Sequence, residues 1–301
     1  MKNNVVRSPL FYVGDKYKLI SEIKLHFPRK INRFIEPFVG GGSVFMNVET
    51  NEFLLNDIDA NIIAIHKMLC SYANNTAEFY KKVDEVVERY GLSCSYKEDI
   101  VPNELKKEFV KTFYARFNKQ GYERMRSDYN QSAERSVFVL YMLLIYGFNR
   151  MIRFNRLGNF NLPVGNVDLN QNTIKALDDY FRLVNIKNPQ WFNLDFEDFI
   201  NRIDIGEDDL VYLDPPYLIT FSEYNKYWNE ETEVRLLDLL NHLNDNNIRF
   251  AISNVTHYKG KINQLFLDWS QRYNSHPIKS NYISYHDNTN KTFTEVLVTN
   301  Y

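Results

Sequence analysis

At 301 residues, with 44% apolar and 25% charged residues, the chain can bury roughly 75% of its extended surface in one large domain or two smaller ones, and its composition excludes intrinsic disorder. A net charge of −2 excludes a global cationic field, so any nucleic-acid contact must come from a local patch. Two cysteines, Cys70 and Cys94, exclude a disulfide scaffold and a four-cysteine zinc site.

The start, MKNNVVRSPLFYVGDKYK, lacks the apolar centre of a signal peptide, and the longest apolar run, residues 137–148, is too short to span a bilayer. An intracellular protein without a membrane partner is expected. Residues 33–38 (RFIEPF) read as a strand that enters Val39-Gly40-Gly41-Gly42 and then SVFMNVE, which has helical composition. The next apolar run, 52–58, closes on Asp57, so a βαβ unit is expected. Residues 60–185 differ. The stretches 60–72, 76–90, 102–118 and 132–146 read as helices, with Pro102 in a first turn where a missing N–H costs nothing. After Gly147, the pieces 151–155 and 160–164 flank the turn dipeptide Gly158-Asn159 and predict a β-hairpin. The α/β pattern resumes with strand-like runs at 190–194, 209–213, 249–253 and 294–298, and with a helix at 230–243. The fold class expected is α/β, a mainly parallel sheet with helices on both faces, interrupted by a mostly helical insertion that carries the hairpin.

The most informative segment is Asp214-Pro215-Pro216-Tyr217, directly after the strand DLVYL. A parallel strand delivers such residues to the carboxyl edge of the sheet, where ligands bind. The paired prolines have no N–H, so the Pro215 carbonyl can face a ligand. A carboxylate, a bare carbonyl and the flat ring of Tyr217 together suit a planar group with an exocyclic amine, such as adenine. The plainer reading is a proline-rich turn that ends a strand. Gly40 and Gly42 would let the backbone approach a cofactor, with Ser43 helping to cap a helix. No Gly-Lys-Ser/Thr follows, so this is not a P-loop, and Phe45 stands where a dinucleotide fingerprint needs its third glycine. Asp57, 17 residues after Gly40, sits at about the offset of a ribose-binding acid, although Asp57 and Asp59 could simply cap the following helix. Residues 106–126 hold seven Lys/Arg and two Glu among aromatics, a local +5 that suits phosphate contact or, equally, a solvated helix face. The scattered histidines read as surface or core residues, and the segment 280–292, with Lys279 and Lys291, as a solvated polar loop.

FVGGGS, then NDID, then IRFN and GNFNLPVG, then DPPY, in this order and over essentially the whole chain, resembles the Dam-type, D12-class alpha group of DNA adenine-N6 methyltransferases. The resemblance implies a Rossmann-like, S-adenosylmethionine-dependent catalytic domain in two pieces, 1–59 and 186–301. Between them, 60–185 would be a target-recognition domain. It implies S-adenosylmethionine as cofactor, held by Tyr12, Lys16, Glu36, Phe38, Gly40, Gly42, Asp57, Asp195, Phe196 and Asp214, and no metal. Asp214, Pro215, Pro216 and Tyr217 would carry the chemistry. Phe148, Asn149, Arg150, Met151, Arg153 and Pro163 would meet double-stranded DNA, with Phe148 as a wedge, Arg153 on a guanine and Pro163 on a thymine methyl. The source implied is a bacterium or phage, the location cytoplasmic, and the enzyme either solitary or paired with a separate restriction endonuclease. A GATC-type target is implied. Two positions depart from the family pattern: Asp15 replaces a glycine before Lys16, and Phe11 replaces a base-contacting lysine. An RNA adenine methyltransferase and a non-catalytic DNA-binding protein of the same fold stay as alternatives, the first disfavoured because duplex RNA hides its major groove from side chains.

Overall fold

Strands buried on both faces read as unbroken apolar runs, and the runs of this chain build one sheet in the computed structural model, which describes residues 5–220, 228–278 and 293–301. The strands are β1 (Arg33–Glu36), β2 (Glu52–Asn56), β3 (Gln190–Phe192), β4 (Leu210–Leu213), β5 (Arg249–Tyr258), β6 (Lys261–Ile262), β7 (Asn274–Ile278) and β8 (Phe293–Thr299). Their order is β3-β2-β1-β4-β5-β8-β7, with β6 paired to β5. The pairs from β3 through β5 are parallel, and β8 and β7 add antiparallel strands. The order reverses between β1 and β4, which opens a crevice at their carboxyl ends.

Side chains alternate across the sheet. Phe34, Phe53, Leu55, Leu210 and Tyr212 join one buried cluster, while Ile35, Leu54, Val211 and Leu213 join the other. After the short α1 (Ile20–Ile23), the first cluster is filled mainly by helices between β2 and β3: α2 (Ala60–Tyr72), α3 (Thr76–Tyr90), α4 (Asn103–Glu108), α5 (Phe113–Gln131), α6 (Val137–Tyr146) and α7 (Gln171–Lys187). The second is closed by α8 (Phe196–Asn201), α9 (Glu230–Asp245) and α10 (Gln264–Ser270). Among the described residues, no helix is long and apolar enough to cross a membrane. The segment 280–292 with Lys279 and Lys291 lies outside the described residues.

Several local expectations need correction. SVFMNVE forms only a 3-10 turn at Phe45–Asn47, because Gly40 and Gly42 hold left-handed φ values of +47° and +79° and the crossover to β2 is short. Ser43 therefore caps nothing, and its buried hydroxyl has no partner among the described residues. The helix expected at 102–118 divides into α4 and α5, since Phe109 and Thr112 leave helical geometry, and Pro102 is the N-cap of α4 rather than its first turn. α5 then runs to Gln131, and Gly121 lets it press on the end of α3, where a Cβ would collide with the Tyr90 carbonyl. The hairpin reduces to an isolated bridge, Phe154 to Phe160, with Asn155 N–H donating to the Asn159 carbonyl at 2.8 Å and Asn161 N–H to the Arg153 carbonyl at 3.0 Å. α1, α7, α8, α10, β6 and β7 were not expected.

Asp209 locks the amino edge of the sheet. Its Oδ1 accepts from Arg33 N–H at 3.1 Å and from the Asn32 amide at 3.2 Å, while its Oδ2 accepts from Arg33 Nη2 at 2.6 Å and Gly206 N–H at 2.8 Å. Burial alone would raise the Asp209 pKa, but Arg33 and the Gly206 amide hold it below the ordinary carboxylate value. Removing one partner of a buried pair strands the other, so Asp209→Ala should cost about 3–5 kcal/mol in a denaturant melt. Because the folded pKa is depressed, the wild-type contribution is complete above about pH 4 and fades as pH falls further. The mutant should therefore lose less stability than wild type on acidification.

Candidate active site

Four carboxyl ends face the crevice, and each brings an acidic side chain to it from its last residue or from the loop that follows. β1 ends in Glu36 and runs into the glycine turn; β2 is followed by Asp57, β3 by Asp195 and β4 by Asp214. Asp57 Oδ2 accepts from Gly40 N–H at 2.9 Å and its Oδ1 from Asp59 N–H at 2.9 Å. Asp57 thus ties the turn to β2 and is not a helix cap, whereas Asp59 is the N-cap of α2 and accepts from Asn61 N–H. Desolvation raises the Asp57 pKa to about 6, against the two amides that lower it. At Gly42, which a Cβ would drive into the Phe45 ring, no other residue fits without movement.

The turn is held from behind by Tyr12, already named from the sequence, and by His66, Ser8 and Asn56, to which sequence reasoning assigned no part in the site. His66 Nε2 lies 2.9 Å from the Gly40 carbonyl and its Nδ1 lies 2.8 Å from the Tyr180 hydroxyl, with the ring stacked on Trp191 at 4.3 Å. Burial lowers its pKa to about 4, so it is a neutral core histidine at neutral pH. Ser8 Oγ donates to the Gly41 carbonyl, and Tyr12 packs on Gly40 and Gly41. Asn56, fully buried, donates to the Pro37 and Leu194 carbonyls at 3.0 Å each and accepts from Leu194 N–H at 2.9 Å. It fixes the loops after β1 and β3 to each other.

Beyond the turn, Phe38, Phe196 and Trp228 meet with ring centroids 5.4, 5.7 and 6.0 Å apart. Asp195 caps α8 through Glu197 N–H at 3.0 Å and pairs with Arg235 Nη2 at 2.8 Å. Trp228 Nε1 donates to the buried Glu233 at 2.5 Å, which fixes the indole.

At the mouth of β4, Lys16 Nζ lies 2.6 Å from Asp214 Oδ2 and 3.7 Å from Glu295 Oε1. The Tyr217 hydroxyl donates to Asp214 Oδ1 at 2.9 Å and reaches Glu295 Oε1 at 3.2 Å. Burial, then the charge of Asp214, pushes the Tyr217 hydroxyl pKa well up. Burial likewise raises Glu295, against Lys16, and raises Glu36 well above the usual range, where Asp214 adds to the effect. Glu36 Oε2 and Glu295 Oε2 are buried without a hydrogen-bond partner among the described residues. Glu295 was missed, although a charge at an inward position of the apolar strand FTEVLV was its signal.

The residues expected to meet DNA form a separate group. Phe148 is 51% exposed, and its N–H donates to the Pro163 carbonyl at 2.9 Å. Asn149 and Arg150 hold left-handed φ values of 53° and 49°. Met151 is half-buried and Pro163 exposed. Arg150 turns inward, with its guanidinium 3.9 Å over the Phe11 ring, and burial lowers its pKa to about 10. Arg153 lies along the turn, donating from Nε to Asn161 Oδ1 at 2.9 Å and from Nη2 to the Asn161 carbonyl at 3.0 Å. In the basic stretch, Arg124 and Arg126 bond the Tyr90 and Leu162 carbonyls and Lys106 bonds Asp99, so part of that charge is structural. The N-terminal segment links the groups: Phe11 lies under Arg150, Tyr12 on the turn and Lys16 on Asp214.

A family model described as D12 class N6 adenine-specific DNA methyltransferase matches residues 12–283. The type II methyltransferase M.FokI of Planomicrobium okeanokoites is 35% identical over 99% of this chain and 43% of its own length. The modification methylase StsI of Streptococcus sanguinis is 32% identical over 98% of this chain and 43% of its own length. The DNA adenine methylase of Escherichia coli strain K12 is 28% identical over 99% of this chain and 95% of its own length. The chain thus spans less than half of the first two relatives and nearly all of the third.

Proposed function

Because the chain belongs to the D12 class of N6 adenine-specific DNA methyltransferases, we propose that it methylates the N6 amino group of an adenine rotated out of a specific site in double-stranded DNA. The observation that carries this reading is the placement of Asp214, followed by Pro215, Pro216 and Tyr217, at the switch point of a parallel sheet, beside a buried lysine. A stacked base cannot reach a methyl donor, so extrusion at a cost of a few kcal/mol must be offset by stacking and hydrogen bonding. Tyr217 offers the ring, and Asp214 and the Pro215 carbonyl accept from the amino group and aim its lone pair. Asp214 and the Pro215 carbonyl would hold the two hydrogens of N6, and the proton that N6 gives up on methylation would already point at Asp214. Fixing nucleophile and methyl group in line can supply about 7–11 kcal/mol.

The methyltransferase family implies S-adenosylmethionine, and the crevice suits it. Phe38, Phe196 and Trp228 pack into an apolar aromatic cluster beside Asp195 that suits the adenine of the cofactor. Asp57 at the glycine turn suits its ribose hydroxyls, and the Glu36 oxygen that has no partner among the described residues suits its ammonium. Gly40 and Gly42 let the backbone come close, with Tyr12 on the turn. When bound, it supplies an activated sulfonium methyl; no metal is part of the proposal.

In this reading residues 1–59 and 186–301 form the catalytic domain and 60–185 the target-recognition domain. Phe148, exposed at the end of a strained turn, wedges into the duplex, flanked by Asn149, Arg150 and Met151. Arg153 reads a guanine and Pro163 touches a thymine methyl, in a GATC-type site. Two relatives are named as a type II methyltransferase and a modification methylase, which supports work beside a separate restriction endonuclease. Arg153→Ala should relax discrimination at one base pair by about 1–3 kcal/mol while non-specific binding changes less. Competition binding with singly substituted duplexes checks this, and equal losses on every sequence contradict it.

The test of the function is incubation with labelled S-adenosylmethionine and plasmid free of adenine methylation, against RNA. Label should enter the plasmid as N6-methyladenine at one repeated site. Label in RNA alone supports the RNA enzyme, and label in neither removes the proposal.

A further inference from the structure

We propose that Glu295 is a positioning residue for methyl transfer: it takes over Lys16 and the Tyr217 hydroxyl when Asp214 engages the amino group of the target base. The inference rests on the reading that Asp214 grips that amine.

Glu295 sits on β8 at 2% exposure, inside an apolar strand. A carboxylate is costly there unless it has partners. Its partners are the same two donors that hold Asp214. The Tyr217 hydroxyl is 2.9 Å from Asp214 Oδ1 and 3.2 Å from Glu295 Oε1, so a small rotation of one O–H moves its hydrogen between the two carboxylates. Lys16 Nζ is 2.6 Å from Asp214 Oδ2 and 3.7 Å from Glu295 Oε1, so a shift of about the length of a bond reverses the preference. Glu295 Oε2 has no hydrogen-bond partner among the described residues, which leaves Glu295 with acceptor capacity for the transfer. Lys16 also lies 5.2 Å over the Tyr217 ring, so the two donors are held together as they move.

The exchange matters because a carboxylate already holding an ammonium and a phenol is a weak acceptor for an aromatic amine. Handing both donors to Glu295 frees the lone pairs of Asp214 for N6, and Lys16 never loses a negative neighbour in a buried site. A role limited to balancing the charge of Lys16 would leave Tyr217 out of account. The two roles separate in a double-mutant cycle, because balancing the charge of Lys16 alone does not couple Glu295 to the tyrosine hydroxyl.

The variants are Glu295→Gln, Tyr217→Phe and the double substitution in the full chain. The readout is the single-turnover rate with labelled S-adenosylmethionine and methylation-free plasmid, with cofactor binding and thermal melting measured alongside. Glu295→Gln keeps the volume and an acceptor oxygen, and Tyr217→Phe keeps the stacking ring, so all three should fold. Each single change should slow transfer roughly tenfold, with cofactor affinity little altered, and the double should be hardly slower than the worse single. Losses that multiply in the double, or a Glu295→Gln rate equal to wild type, overturn the inference while wild-type transfer to DNA still stands. A wild-type chain inert on DNA overturns the underlying reading as well.

Discussion

Asp214→Asn should slow methyl transfer by about 100- to 1,000-fold, the loss typical when one group that stabilises developing charge is removed. Asparagine keeps the size of the side chain and one acceptor oxygen for the Tyr217 hydroxyl, which now lies 2.9 Å away. It removes the negative charge 2.6 Å from Lys16, a pair whose side chains are 4% and 18% exposed. Glu295, 3.7 Å from the same ammonium, limits the cost in stability. The amide also turns a donor toward an amine that needs an acceptor, so the lone pair of N6 is no longer aimed. Single-turnover rates measure the loss, and calorimetric titration with the cofactor should show affinity within a few-fold of wild type. A variant that methylates at near-normal rate would remove Asp214 from the chemistry.

Asp57→Ala should weaken S-adenosylmethionine binding by roughly 10- to 100-fold, with a smaller effect on transfer at saturating cofactor. Hydrogen bonds to a charged group contribute about 1.5–3 kcal/mol each. The substitution would remove the acceptor proposed for the ribose hydroxyls and the tie to Gly40 N–H at 2.9 Å that shapes the turn. The titration of Asp57 gives a second reading of the same contact. Desolvation raises its pKa to about 6, so the carboxylate is complete above that pH and one oxygen becomes a donor below it. Cofactor affinity should therefore fall as pH drops through about 6, and Asp57→Asn, which does not titrate, should flatten that step. A pH-independent wild-type affinity would place the ribose elsewhere.

The sheet was legible because its strands are buried on both faces and read as apolar runs; β1, β2, β4, β5 and β8 stand where those runs are. β7, with the sequence NSHPI, was not, because an edge strand carries polar residues and tolerates proline. α7 had its signals, an Asn170 cap and Ile174, Leu177, Phe181 and Val184 at helical spacing, in the shadow of the turn-rich segment before it. The helix expected after the glycine turn failed because composition says nothing about a crossover too short to hold one.

The site divides in the same way. Asp57 and Asp214, each directly after a strand, could be placed because a parallel sheet sends them to one edge, whereas Asp195, three residues past β3, came only from the family resemblance. Glu295 meets Tyr217 across 78 residues of sequence, and Asn56 binds a loop 138 residues away, so neither contact has a local signature. Arg150 makes a contact with no local signature of its own: its guanidinium packs on Phe11, a residue that replaces a lysine in the family pattern.

The most direct measurement is a structure of the chain with a duplex containing its mapped site and an unreactive analogue of the methyl donor. The target adenine should lie outside the helix against the Tyr217 ring, with N6 within hydrogen-bond reach of Asp214 and the Pro215 carbonyl, and with Lys16 moved toward Glu295. An adenine still stacked in the duplex, or Asp214 closed on Lys16 with no base between Tyr217 and the cofactor, would contradict the account.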